Sequence, residues 1–407
     1  ISRGKIELQI DVNGDCADLR VEAILVNEEG CFTADASEPL IIELDAPRLW
    51  SPDDPHLYPV SLRLLRGDQL VDEVTSYFAV REVGVEGRAG ERYLTLNGQP
   101  IFHNGLLDQG YWPESIYTAP CDEALIYDIE KMKDSGFNML RKHIKIEPAR
   151  WYYHADRLGM LVWQDMLNGG SIIPPKGLWV DYLQHVAPLG IANVEVADED
   201  YAGWGRDKRG REAFLCEMKE MIDQLRCFPS VVMWVPFNEY WGQFDAAETA
   251  RWVKAYDPSR LVNHASGFYD QGAGDVYDMH VYGKTIERIE DPVGKRVAVL
   301  GEYGAKGWPV AGHRWSQDKL FCFGKPATNQ EEFQNWYEDV VRQQICVAIS
   351  HGLGASVYSC LSDVEIEMDG LLTYDRKLMK IDTKQLQVLN SEMTSQFASR
   401  LQASNRG

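Results

Sequence analysis

Over residues 1–86 apolar and polar positions alternate in short runs. IELQIDV, LRVEAILV, LIIELD, YPVSLRLL and VDEVTSYFAV are separated by NG, NEEG, SPDDP and RGD turns. A period of two turns one face of each segment to a core and the other to water, as in strands of an antiparallel sheet. Short strands at this spacing predict a small immunoglobulin-like β-sandwich over 1–86. No catalytic cluster falls in it, and it reads as a scaffold or spacer. Around Val83–Gly90 the alternation loosens, and YLTLNGQPIF then reads as a hairpin with Asn97-Gly98 at its turn.

From residue 87 onward the pattern changes to apolar strands alternating with segments of helical period. GQPIFHNGLL, FNMLRKHIK, GMLVWQDM and SVVMWVPFNEY are the first four strands, and LVNHAS, DVYDMHVYG, RVAVLGEYG and GASVYSCLS the last four. Helices are predicted at Asp122–Ser135, Pro148–Leu158, Arg211–Phe228, Asp245–Tyr256, Asn329–Gly352 and Gln385–Leu401. The third shows its stripe at Phe214, Met218, Ile222 and Leu225. Eight strands, each followed by a helix or loop, predict a (β/α)8 TIM barrel over 87–407. One connection, Asn168–Gly210, is far longer than usual and holds Pro174, Pro175, Trp179 and Trp204. At a barrel's carboxyl face such a loop shapes a pocket; as a bare surface insertion it would do nothing.

Composition narrows the partners. The net charge of −21 disfavours nucleic acid and anionic membranes. Residues 1–86 hold 18 acidic against 7 basic side chains, a solvated face. Eight cysteines form no CxxC pair; Cys216, Cys346 and Cys360 lie in apolar patterns and read as buried thiols, which favours a reducing, cytoplasmic setting. No signal peptide or long apolar stretch is present, although the chain starts at Ile1 and an upstream segment is left open.

The chemistry lies at two strand ends. Val231–Phe237 is apolar without alternation, as for a strand buried on both faces, and breaks into Asn238 and Glu239. RVAVLGEYG repeats the device with Glu302. A carboxylate directly after a buried strand is costly unless it sits in a cleft. The carboxyl ends of barrel strands are where catalytic groups sit. Two glutamates there suit retaining glycoside hydrolysis, one as acid/base and one as nucleophile.

The sequence resembles glycoside hydrolase family 2, the β-galactosidase, β-glucuronidase and β-mannosidase family, over nearly its whole length. APRLWSPDDPHLYPVSLRLL resembles the end of that family's immunoglobulin-like domain, and LNGQPIFHNGLL the start of its barrel. FNMLRKHIKIEPARWYYHADRLGMLVWQDM, WVPFNEYWGQFD, GEYG and DVEIEMDGLLTYDRK follow in the family's order. The resemblance implies Glu239 as acid/base, Glu302 as nucleophile, and Asn238 on the sugar 2-hydroxyl. It implies Tyr282 bonded to the nucleophile with His280 as its strand companion, and Arg141 beneath the nucleophile. Asp165 would bind a sugar hydroxyl or form a structural ion pair. His103 and His143 also read as core histidines.

Three departures stand out. Nothing represents the jelly-roll domain with which the family usually begins. HNGLLDQGYWPES replaces the galactosidase stretch after strand one, so that Asp108, Gln109 and Trp112 would line the terminal-sugar subsite by other means. No Asn-x-Lys pair occurs, which disfavours a glucuronide. The acidic run Asp363, Glu365, Glu367 and Asp369 fits no calcium loop and reads as a solvated loop near the pocket. The expected activity is that of a retaining exo-β-glycosidase, galactosidase-like, acting on an oligosaccharide or glycoside without cofactor or metal and with room for a homo-oligomer. A mannosidase, a glucuronidase, an endo-β-glycanase and a noncatalytic carbohydrate-binding module are the alternatives.

Overall fold

The computed structural model describes residues 3–404 apart from 28, 89, 170–205, 240, 268, 287 and 318. The amino-terminal strands form two antiparallel sheets. One pairs Arg3–Leu8 with Leu40–Asp45. The other runs, in spatial order, Cys31–Asp35, Leu19–Leu25, Tyr58–Arg66 and Gln69–Phe78. Their inner faces share a core that includes Val21, Ala23, Ile42, Val60 and Phe78. Cys31–Asp35 is not among the predicted strands, because only Phe32 and Ala34 mark its inner face. Backbone pairing with Leu19–Leu25 holds it.

Val83–Arg88 and Glu91–Leu96 form a hairpin, continued by Gln99–Pro100 around Asn97-Gly98. The φ values of 55° and 72° at that turn are those a two-residue hairpin loop needs. The expected division at residue 86 therefore falls inside a paired strand. Leu94, Leu96 and Trp50 join Leu261, Val276, Val297 and Ala355 in one buried cluster. The last four open barrel strands five to eight, so the hairpin closes the barrel's amino-terminal end.

The eight barrel strands are His103–Asp108, Met139–Lys142, Leu161–Asp165, Val231–Val235, Leu261–Val262, Val276–Tyr282, Val297–Gly304 and Ala355–Ser359. All are parallel, in the spatial order five, four, three, two, one, eight, seven, six. Strands five and six end that order without a ladder between them; a bond from Asp275 N to Val262 O, 2.8 Å, crosses the gap near its amino end. An outer layer is built from Asp122–Asp134, Ala149–Leu158, Lys208–Leu225, Ala246–Tyr256, Gln330–Val340 and Thr383–Ser404. Their apolar faces, among them Ile129, Met218, Ile222, Phe333 and Leu389, pack on the strands.

Several boundaries and burials differ from the sequence expectation. The third helix begins at Lys208 because Asp207 caps it, accepting from Gly210 N at 2.7 Å. The helix after Asn329 passes through a π turn, Val341–Ile345, before Cys346–Ser350. Of the three thiols read as buried, Cys360 is, Cys346 is half-buried and Cys216 is exposed on its helix. Most of the long connection, including Pro174, Pro175, Trp179 and Trp204, lies outside the described residues. No described helix is long and apolar enough to cross a membrane.

Candidate active site

Strand register places the groups at the barrel's carboxyl mouth. Strand six reads VYDMHVY, and its period of two puts Asp278, His280 and Tyr282 on one face. Strand seven lies beside it with His280 opposite Glu302. On strand two, Arg141 stands between Leu107 and Trp163 of the neighbouring strands. Its side chain is fully buried, so every donor must find an acceptor. Nε and Nη2 donate to the two oxygens of Asp165 at 3.0 Å each. Nη2 also donates to Asn238 Oδ1 at 2.6 Å, and Nη1 to Glu302 Oε1 at 3.1 Å.

Glu239 follows strand four with φ of 48°, a left-handed conformation that a glutamate rarely adopts. A hydrogen bond from its N–H to Ser266 O, 2.9 Å, holds it there. The turn aims the side chain back over the barrel, where Oε1 lies 2.9 Å from His280 Nδ1. His280 Nδ1 is also 3.7 Å from Glu302 Oε1. Tyr282 gives Glu302 Oε2 a short hydrogen bond and is 3.0 Å from Ser359 Oγ. One oxygen of Glu239, one of Glu302 and a His280 nitrogen all lie within 4.8 Å of one another. Three such donors are close enough to share a cation, and the imidazole lies between the two carboxylates.

Burial disfavours charge on every group here, and the partners decide the balance. For His280, burial pulls the imidazole down, but Glu302, the Glu239 hydrogen bond and Asp278 outweigh it and raise it above its ordinary value. Glu239 is pushed up by burial, yet His280, with His143 and Arg141, carries it below the ordinary carboxylate value. Asp165 is likewise held low, burial being overcome by Arg141 and His143. The Tyr282 phenol is driven well up by burial and by Glu302 and Glu239, so it remains a donor.

Of the expected residues, Arg141, Asn238, Glu239, His280, Tyr282 and Glu302 come together. Three others are placed differently. Asp165 is fully buried with both oxygens accepting, one from Arg141 and the other from Arg141 with His143 beside it, the ion-pair arrangement that is one of its two sequence readings. Asp108 turns inward to Lys142 Nζ at 2.7 Å. Trp112 is buried under the Arg376 guanidinium, 4.1 Å from its ring centre. Gln109 does line a cleft of about 300 Å³, with Tyr111, Val364, Glu365, Ile366 and Glu367. Two positioning groups escaped the sequence reading. Asp278 was visible as the third member of the two-residue period on strand six. Ser266, whose Oγ reaches Asp278 at 2.6 Å and His280 at 2.8 Å, carries no sequence signal.

A parallel barrel with paired carboxylates at its carboxyl mouth defines a class of glycosidase scaffold. Residues 90–393 match the TIM barrel domain of glycosyl hydrolases family 2, and residues 2–81 match a second model described as glycosyl hydrolases family 2. The chain belongs to glycosyl hydrolases family 2. A β-galactosidase of Lactococcus lactis is 26% identical over 317 residues, 74% of this chain and 28% of that protein. The curated relatives are much longer: the chain spans 21% to 28% of those it matches. In structure it is similar to an FMN-binding β-glucuronidase from Facaelibacterium prausnitzii L2-6, with a TM-score of 0.70, 18% identity, 96% of this chain and 60% of that one. A β-galacturonidase from Eisenbergiella tayi, bound to galacturonate, gives 0.65 at 16% identity, 97% of this chain and 72% of that one. At these identities the structural likeness concerns the fold.

Proposed function

We propose that the protein is a retaining exo-β-glycosidase, galactosidase-like, working by double displacement. Glu302 attacks the anomeric carbon as the bond to the aglycone breaks, and Glu239 gives its proton to the leaving oxygen. Glu239 then takes a proton from water, which displaces Glu302 and restores the enzyme. The observation that carries this reading is the spacing of the carboxylates, with oxygens inside 4.8 Å. Retention needs about 5–5.5 Å between the carboxyl groups, whereas inversion needs roughly 6.5–9.5 Å to admit a water. Arg141 and Tyr282 favour a charged nucleophile at Glu302.

The proton on the Glu239–His280 pair favours the imidazole in the free enzyme. Across 2.9 Å it can pass to Glu239 with no change in the number of protons bound. The site thus holds the acid's proton in reserve on His280.

Azide rescue tests the two roles. With Glu302→Ala and an aryl β-glycoside, azide should attack the open face and give the inverted α-glycosyl azide. With Glu239→Ala and an activated aryl leaving group, the glycosyl-enzyme still forms, and azide should give the β-glycosyl azide. The opposite stereochemistry in each variant would reverse the roles, and full activity in both would remove them from this pair.

A further inference from the structure

We propose that Glu367 determines sugar specificity: it accepts a hydrogen bond from the terminal sugar and rejects hexuronic acids, so the substrates are β-glycosides of neutral or amino sugars. The inference rests on the glycosidase reading above and deepens it.

The geometry ties Glu367 to the catalytic pair through a short path. Gln109, directly after strand one, donates Nε2 to Glu367 Oε2 at 2.9 Å and lies 3.8 Å from Cys360 Sγ. Cys360 follows Ser359, whose hydroxyl is 3.0 Å from Tyr282 Oη, and Tyr282 bonds Glu302. Burial raises the Glu367 carboxyl above its ordinary value against the Gln109 hydrogen bond and His143, which lower it, and Glu302 and Glu239 act electrostatically in the same direction as burial. The cleft that Glu367 lines, about 300 Å³, is of the size of small-ligand sites.

The charge of that cleft is one-sided. Glu365 and Glu367 are on its wall, and no described lining residue is basic. Among the described residues the basic groups around it have acidic partners: Arg141 has Asp165 and Glu302, His143 has Asp165, Lys142 has Asp108 and Glu147, Lys145 has Glu147, and Lys380 has Asp363 at 2.6 Å. A hexuronate would bring its own carboxylate into a partly desolvated site of like charge, where recognition of an anion needs an unspent arginine or lysine. A hydroxyl or an ammonium, by contrast, is a donor that Glu367 can accept. The name of a structural neighbour as a β-glucuronidase therefore does not carry over to this site.

The test is a kcat/KM comparison at pH 7 on nitrophenyl β-galactoside, β-glucoside, β-mannoside, β-glucosaminide, β-glucuronide and β-galacturonide. The best neutral or amino sugar should exceed both uronides by about 100-fold. Preference for the glucosaminide assigns the donor as an ammonium, and preference for a neutral hexoside assigns it as a hydroxyl. A uronide equal to or better than the others overturns the proposal while leaving the glycosidase reading intact; turnover of none would overturn that reading itself. Glu367→Gln should raise the uronide-to-neutral ratio about tenfold, and an unchanged ratio in a folded variant also overturns it.

Discussion

His280 sits between two carboxylates, with Arg141 Nη1 3.4 Å away opposing its charge and Asp278 supporting it. A proton that can rest on either of two sites is held more tightly than one confined to a single site. The alkaline limb of kcat/KM should therefore lie above the ordinary histidine value, as the raised imidazole is finally deprotonated. Replacing His280 by Asn leaves Glu239 alone with that proton and should move the limb to lower pH; a limb that stays in place would separate His280 from the acid. Arg141 presents a different case, because four groups, Asp165, Asn238, Glu302 and the Gly301 carbonyl, accept from one planar fork. Arg141→Lys cannot reproduce it. Its kcat should fall by about 10²–10³-fold, the scale for losing a preorganised donor, and Arg141→Gln should do no better. The two glutamates were legible because each interrupts an apolar run with a carboxylate. Asp108 and Trp112 were misplaced because a residue just beyond a strand end can turn inward or outward, and neighbours such as Lys142 and Arg376 decide which.

Strands four and seven were readable from their unbroken apolar runs, and strand five was placed at LVNHAS although only its first two residues, Leu261–Val262, pair. Helix ends shifted by a few residues where a cap such as Asp207 decided the start. The element that fixes the nucleophile is the kink in strand seven, where the register with strand six shifts between Met279 and His280. Gly301 lies in this stretch. Its N–H donates to Asp278 Oδ1 at 2.5 Å, and a Cβ there would come within 2.2 Å of the same carboxylate. Gly301→Ala should therefore displace Asp278, and with it Ser266 and His280. The expected cost is about 1–3 kcal/mol in denaturant unfolding together with loss of turnover. A variant of unchanged stability and kcat would show that the kink yields freely.

Beside the apolar cluster around Trp50, the sandwich meets the barrel through polar contacts around a buried carboxylate. Trp50 Nε1 donates to Asp156 O at 2.8 Å, and Tyr77 donates to Asp156 Oδ2 at 2.7 Å. Arg81 caps the carbonyls of Pro229, Val231 and Ser259. None of these long-range pairs could be read from the sequence, since nothing local distinguishes a tyrosine that reaches another domain. Burial pushes the Asp156 carboxyl up to about 7 against the hydrogen bonds from Ser230 and Tyr77. The native state thus holds this proton more tightly than the unfolded chain. Its contribution is complete below about pH 4 and lost as pH rises through about 7. Asp156→Asn removes the titration, so between pH 5 and pH 8 its Tm should gain about 2–4 °C on the parent protein; a constant difference would mean that the carboxyl does not titrate there.

The unladdered junction between strands five and six divides the catalytic pair. Glu239 is fastened to the strand-five side through Ser266 O, whereas Glu302 belongs to strand seven, laddered to strand six. Near the mouth, the two banks are stitched by side chains: Asn263 and the Ser266 hydroxyl both reach Asp278, and Ser266 also reaches His280. The distance that separates retention from inversion is consequently governed less by the rigid backbone than by two side chains, Asn263 and Ser266, acting as a clasp. A barrel of this kind has a built-in drawstring, and evolution could widen or narrow the gap between its carboxylates without rebuilding a strand.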